Sequence, residues 1–205
     1  LITETADLRR GPFTFLILAG GYRLGELEMG ATWDPECTRS PDGGRIAYLY
    51  HAETDNFQAA LRWVDLDDLG QVREALPGLY GYQMAFDWSG EFLAYQACGS
   101  RPNRCHLYQV ALATGETSII LQVEYASRLF WSPQGDALGF IGSLPGDDVV
   151  GLYVVQLSNR QVIYRGDFDP AVNAWPADAP PVAWGVDLSL AGVRQDLTAC
   201  AAPPG

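Results

Sequence analysis

The chain holds two histidines and two methionines, and its 13 basic residues face 25 acidic ones, in 205 residues. So few histidines leave little for a Ser-His-Asp triad, and no Gly-x-Ser-x-Gly elbow is present. A Gly-x-x-x-x-Gly-Lys-Ser/Thr phosphate loop, a His-Glu-x-x-His motif and a twelve-residue calcium loop are also missing. The formal charge of −12 would repel a phosphate backbone, because nucleic-acid binding depends on cations that displace counterions, and this excludes nucleic acid as an expected partner. No apolar run approaches the roughly 18 residues of a membrane span. Phe13 to Ala19, behind Arg9 and Arg10, is short and comes after Glu4 and Asp7, so it reads as a strand, not as a signal-peptide core. No long helical periodicity competes with the short apolar runs.

What the chain does have is a repeat. Phe130-Trp131-Ser132-Pro133-Gln134-Gly135-Asp136-Ala137-Leu138-Gly139-Phe140 reads as strand, turn and strand. Asp87-Trp88-Ser89-Gly90-Glu91-Phe92-Leu93-Ala94-Tyr95 and Ser40-Pro41-Asp42-Gly43-Gly44-Arg45-Ile46-Ala47-Tyr48 repeat it upstream, and Trp175-Pro176 with Val182-Ala183-Trp184 forms a degenerate copy downstream. The closing aromatics Tyr48, Tyr95, Phe140 and Trp184 succeed one another at intervals of 47, 45 and 44 residues. A second marker keeps step, in Trp63-Val64-Asp65-Leu66, Tyr108 to Leu112 and Tyr153 to Leu157. A period near 45 with several short apolar runs per repeat predicts propeller blades, four-stranded antiparallel sheets that must stack to bury their faces. Trp88, Trp131 and Trp175 are read as one repeat position that packs between blades.

The Trp/Phe-Ser-Pro-Asp-Gly turn, the Ile-Ala-Tyr/Phe strand after it and the later Tyr-x-x-x-Leu-x-x-Gly resemble the TolB-like, or WD-repeat-like, β-propeller repeat. The resemblance runs over about residues 33 to 186 and speaks to fold more than to function. The expected architecture is all-β: about four four-stranded blades in one domain spanning 1–205, as a small complete ring or a segment of a larger one. The repeats are placed near 31–75, 80–122, 126–166 and 171–200, and residues 13–29 are read as a hairpin that either completes the last blade and closes the ring or is the tail of a blade from a missing N-terminal region. Because the chain opens on Leu1, it reads as a processed chain or a fragment.

Four cysteines suit two disulfides. Cys98 and Cys105 flank a turn-rich loop between two strands, and Cys37 and Cys200 would become neighbours when first and last blades meet; a zinc site at Cys98, Cys105 and His106 lacks a Cys-x-x-Cys pair. Disulfides imply an oxidising compartment, hence a periplasmic, secreted or cell-surface protein.

In a four-strand meander the turns alternate ends. The short turns at 41–44, 67–70, 89–91, 113–115, 133–136 and 158–160 therefore share one face. Longer loops at 52–60, 98–105 and 143–150, with blade links near 76–82, 123–127 and 166–171, share the other, where binding residues are expected. Tyr80, Tyr82 and Tyr125 on the links, and Asp147, Asp148, Asp167 and Asp169 on the loops, are the candidate partner-binding residues. Asp67 and Asp68 fall among ordinary turns. No cofactor or metal is expected. The TolB-like resemblance implies a non-enzymatic scaffold that binds a protein or peptide; the alternatives are the propeller domain of a larger prolyl-oligopeptidase-like hydrolase and a glycan-binding propeller.

Overall fold

The computed structural model describes residues 2–4, 13–19, 22–30, 37–51, 59–99 and 105–167; of these, 2–4, 13–19, 22–30, 76–82 and 167 are described by backbone alone. All regular structure in them is β. The strands are β1 (Ile2–Glu4), β2 (Phe13–Ala19), β3 (Tyr22–Gly30), β4 (Cys37–Arg39), β5 (Arg45–His51), β6 (Ala59–Asp65) and β7 (Asp68–Phe86), then β8 (Phe92–Cys98), β9 (Cys105–Ala111), β10 (Thr117–Val123), β11 (Tyr125–Trp131), β12 (Ala137–Ser143), β13 (Gly151–Gln156) and β14 (Gln161–Asp167).

Three four-stranded antiparallel blades result. Blade one is β4, β5, β6 and the first part of β7; blade two is the rest of β7 with β8, β9 and β10; blade three is β11 to β14. Upstream, β1, β2 and β3 pair antiparallel, and β3 meets β5 in one parallel pair, Gly30 with His51. The expected hairpin is thus present, with an extra strand before it. The degenerate fourth repeat, 171–200, lies outside the described residues.

Two links differ from expectation. The chain does not loop at 76–82 but continues as a 19-residue strand, so β7 serves blade one with its first part and blade two with its last. Register shifts absorb the change of partner, between Ala59 and Leu61 on one side and between Gly81 and Met84 on the other. The next link is a single residue, Glu124.

The repeated turn owes its shape to side chains that bond their own backbone. Ser40, Asp87 and Ser132 are equivalent and buried; their amides donate to the carbonyls of Arg45, Phe92 and Ala137, and their own carbonyls accept from the amides of Gly43, Gly90 and Gly135. Those three glycines have φ of 74°, 71° and 72°, where a side chain would be strained. In the first turn Ser40 Oγ donates to Asp42 and accepts from Arg45 N, while Asp42 accepts from Gly44 N. The second turn exchanges the two residues: Ser89 Oγ donates to Asp87, which accepts from Phe92 N, and Ser89 Oγ accepts from Glu91 N. Acid and hydroxyl are interchangeable because each supplies an acceptor and together they need one shared proton.

This equivalence corrects the tryptophan register. Trp131 corresponds to Phe86, the last residue before the turn, whereas Trp88 stands where blade three has Pro133. Both still join blades two and three. Trp131 is 2% exposed and its Nε1 donates to Ala85 O at 2.9 Å, while Trp88 Nε1 donates to Trp131 O at 3.3 Å.

The core lies between blades. Ala47, Leu49, Leu61 and Trp63 of blade one pack on Phe86, Leu93, Tyr95 and Val110 of blade two. On the other side of blade two, Ala85, Leu107 and Val123 pack on Leu129, Trp131, Leu138, Phe140 and Tyr153 of blade three. Strands β8 and β12 are therefore buried almost throughout, while in the outer strand β10 only Ile120 and Val123 are buried. Between blades two and three the buried Gln96 amide, oriented by hydrogen-bond sense, donates to Ala126 O and accepts from Ala126 N, so a polar side chain is satisfied by the neighbouring blade's backbone.

All 13 cations of the chain are arginines, and several act as forks. Arg45 reaches Asp65 at 2.7 Å and Gly90 O, in the next blade, at 2.7 Å. Arg73 approaches the other Asp65 oxygen at 3.3 Å and Leu112 O at 3.4 Å. One carboxylate thus holds two arginines that clamp blade one to blade two.

Candidate partner-binding face

The two turns at one end of each blade are joined by a bond that recurs: Leu66, Leu112 and Leu157 N donate to Gly44, Glu91 and Asp136 O at 2.8, 2.9 and 2.9 Å. This fixes the short turns, with the exposed Asp67 and Asp68, to one face. The opposite end carries the β5–β6, β8–β9 and β12–β13 connections and the Glu124 link.

There, Cys98 and Cys105 face each other as a cross-strand pair, both buried, and form a disulfide that closes the β8–β9 hairpin. Cys37, in β4, is not a free thiol; Cys200, its expected partner, lies outside the described residues.

The β12–β13 connection, 144–150, is described in full. Asp147, expected to be a free loop acid, is pinned. Its Oδ2 accepts from Tyr153 Oη at 2.6 Å, its Oδ1 lies 3.0 Å from Arg165 Nη1, and its amide donates to Leu144 O at 2.9 Å. Tyr153 is fully buried and stacked on Phe140, so the anchor reaches into the core between blades. The Tyr153 hydroxyl, and after it the Arg165 charge, hold the Asp147 carboxyl below the usual carboxylate range, while burial first and the bond to Asp147 second push the Tyr153 phenol up. Asp147 is therefore spoken for, and its part is to set the loop.

Pinned at Asp147, the loop presents its next three residues to solvent. Asp148 is exposed, and Val149 and Val150 are 58% and 42% exposed. Tyr125, 51% exposed, opens β11 at the same end, where it pairs with Ser143, while Gly142 pairs with Gly151 at the start of β13. Glu124 beside it is exposed and its amide donates to Ser143 O at 3.0 Å. Tyr125 is thus a strand residue and not a link residue as expected, yet it stays on the expected face. Gly142 keeps the strands close here, since a Cβ on it would meet the Tyr125 carbonyl.

The sequence pattern does not single out Val149 and Val150, because Asp-Asp-Val-Val-Gly reads as a turn entering a strand; their one signal is two apolar residues directly after two acids. Of the remaining candidates, Tyr80 and Tyr82 lie in β7 and Asp167 ends β14 opposite Gly151, with side chains outside the described residues. Asp169 lies outside them altogether.

His51 ends β5 half-buried, and burial holds its imidazole below its ordinary value. His106 lies in β9 with its ring 6.0 Å from that of Tyr108. Among the described residues no three His, Cys, Asp or Glu side chains converge on a metal-sized point, and no helix is long and apolar enough to cross a membrane.

No protein-family model and no curated protein matches the chain. Solved structures do. The β-propeller domain of the trilobed protease from Pyrococcus furiosus, which has an open velcro topology, aligns with TM-score 0.53 and 15% identity over 66% of this chain and 42% of its own. TolB from Acinetobacter baumannii aligns with TM-score 0.52 and 14% identity, over 78% and 38%. Hydrazine synthase from Kuenenia stuttgartiensis aligns with TM-score 0.54 and 16% identity, over 80% and 45%. The likeness is one of fold, a TolB-like β-propeller, and the chain spans less than half the length of each of these three.

Proposed function

We propose that this chain is a non-enzymatic, extracytoplasmic propeller that binds a protein or peptide through its long-loop face. The observation that carries the reading is the exposed apolar group Tyr125, Val149 and Val150, set on blade three by a loop whose acid is tied to a buried tyrosine. Exposed apolar side chains on a fixed loop offer a preformed contact, and a rigid scaffold with dissimilar loops is a common arrangement for recognition. The Cys98–Cys105 disulfide supports an oxidising compartment. A second reading, the propeller domain of a larger hydrolase, draws on the P. furiosus protease domain, and a Gly-x-Ser-x-Gly elbow in the same polypeptide would favour it.

The test begins with affinity capture of a partner and continues with variants. Val149→Ser with Val150→Ser and Asp148→Asn should weaken the captured partner at least about tenfold, in keeping with loss of a small hot spot. Asp67→Asn with Asp68→Asn should leave it unchanged. Asp147 is kept, because its removal would release the loop. Equal losses from both sets would exclude this face.

A further inference from the structure

Each blade ends in an outer strand with one edge that no described strand pairs: the first part of β7, then β10, then β14. Such edges are templates for another chain, and proteins blunt them with charges, prolines or bulges. All three ladders carry a register shift, so bulges do not distinguish them. Charge does. The outer part of β7 holds Asp68, Arg73 and Glu74, and β14 holds Arg165 and Asp167. By contrast β10, Thr117-Ser118-Ile119-Ile120-Leu121-Gln122-Val123, has no charged residue and no proline. It is rich in β-branched residues, and Ile119 is 45% exposed. The exposed Glu116 and Glu124 bracket it at either end.

We propose that the outer edge of β10 is a docking site for an extended segment of another protein, apolar in the middle and basic at both ends, which adds to blade two as a fifth strand. Main-chain hydrogen bonds to this edge, which no described strand pairs, supply the attachment, and the bracketing glutamates supply the selection. The same brackets disfavour a second copy of this chain. Antiparallel pairing of β10 with its copy would set Glu116 against Glu124, parallel pairing would set each against itself, and both juxtapose like charges. The site is on the circumference of the propeller and does not depend on the long-loop face.

The probe is a labelled peptide whose alternating Val/Thr core matches the length of β10, with arginines at both ends, compared with the same core ended by glutamates. The arginine-ended peptide should bind the full chain about tenfold more tightly than the glutamate-ended one. It should also protect backbone amides within Thr117–Val123 from hydrogen exchange. Ile119→Lys should abolish binding with thermal unfolding unchanged, since its side chain is already partly in solvent. Glu116→Lys with Glu124→Lys should reverse the peptide preference. Equal affinity for both peptides, binding of neither, or protection elsewhere would overturn the proposal. So would dimerisation of the unliganded chain that Ile119→Lys removes.

Discussion

Two residue positions show how one repeat is made to pack on the next. Trp131 is buried with its indole N–H given to Ala85 O, so Trp131→Ala removes both the ring and the partner of a buried carbonyl. The loss should be about 3 to 5 kcal/mol in denaturant unfolding, and a smaller one would mean that the blades close over the gap. The cross-strand pair Phe130 with Gly139 occupies the place that Ala85 with Ala94 holds in blade two and Thr38 with Ala47 in blade one. Size is complementary within the pair: where the first residue is a phenylalanine the second must be glycine, since a Cβ on Gly139 would collide with the edge of the Phe130 ring. Gly139→Ala should therefore cost about 1 to 3 kcal/mol by overpacking in the native chain. In a Phe130→Ala background, which recreates the pair of blade two, the same change should cost nearly nothing. A double-mutant cycle with no coupling would separate the two sites.

At the scale of elements, the β8–β9 hairpin and the β12–β13 loop are each held by one tie. The Cys98–Cys105 bridge spans a sequence separation of 7. By loop-closure entropy it contributes about 2.5 kcal/mol, so Cys98→Ser with Cys105→Ser should lower unfolding free energy by about that amount while circular dichroism remains native. The β12–β13 loop depends on ionised Asp147. Its carboxyl sits below the usual range because Tyr153 donates to it and Arg165 lies beside it. A depressed folded-state pKa gives a contribution fully present above the unfolded value and lost as pH falls through the folded one. Wild type should thus lose its advantage over Asp147→Asn as pH drops below about 4, the ordinary range of an aspartate. Thermal melts of both proteins across that range decide the matter: a gap between them that is constant with pH would assign the loop's order to contacts other than this carboxylate.

For the whole molecule the governing quantity is charge. With a net −12 and a sequence pI near 4.4, the chain presents an acidic field in which four of the described arginines, Arg45, Arg62, Arg73 and Arg165, are each matched to a carboxylate. A basic partner should therefore be steered in, with association slowing as salt rises from about 0.05 to 0.5 M and dissociation changing little. Stopped-flow binding at several salt concentrations would show this; an association rate indifferent to salt would put recognition entirely on apolar contact.

The period of the sequence determined the blades, because strand, Ser/Asp turn and strand are local events set by alternation and by side chains bonding their own backbone. Tyr48, Tyr95 and Phe140 were legible only as the aromatics that close each repeat, and their burial came with the packing of the blades, whereas Cys98 with Cys105 was legible as a hairpin pair. The register of Trp88 against Trp131 was not, since Asp87 and Ser89 exchange the roles of Ser40 and Asp42, and only hydrogen-bond geometry distinguishes the two orders. The passage of β7 through 76–82 was also decided by pairing, as a strand's continuity depends on partners distant in sequence. So was the fate of Asp147: whether an acid is free for a partner or committed to the fold depends on Tyr153 and Arg165, which reach it only once β13 and β14 are in place.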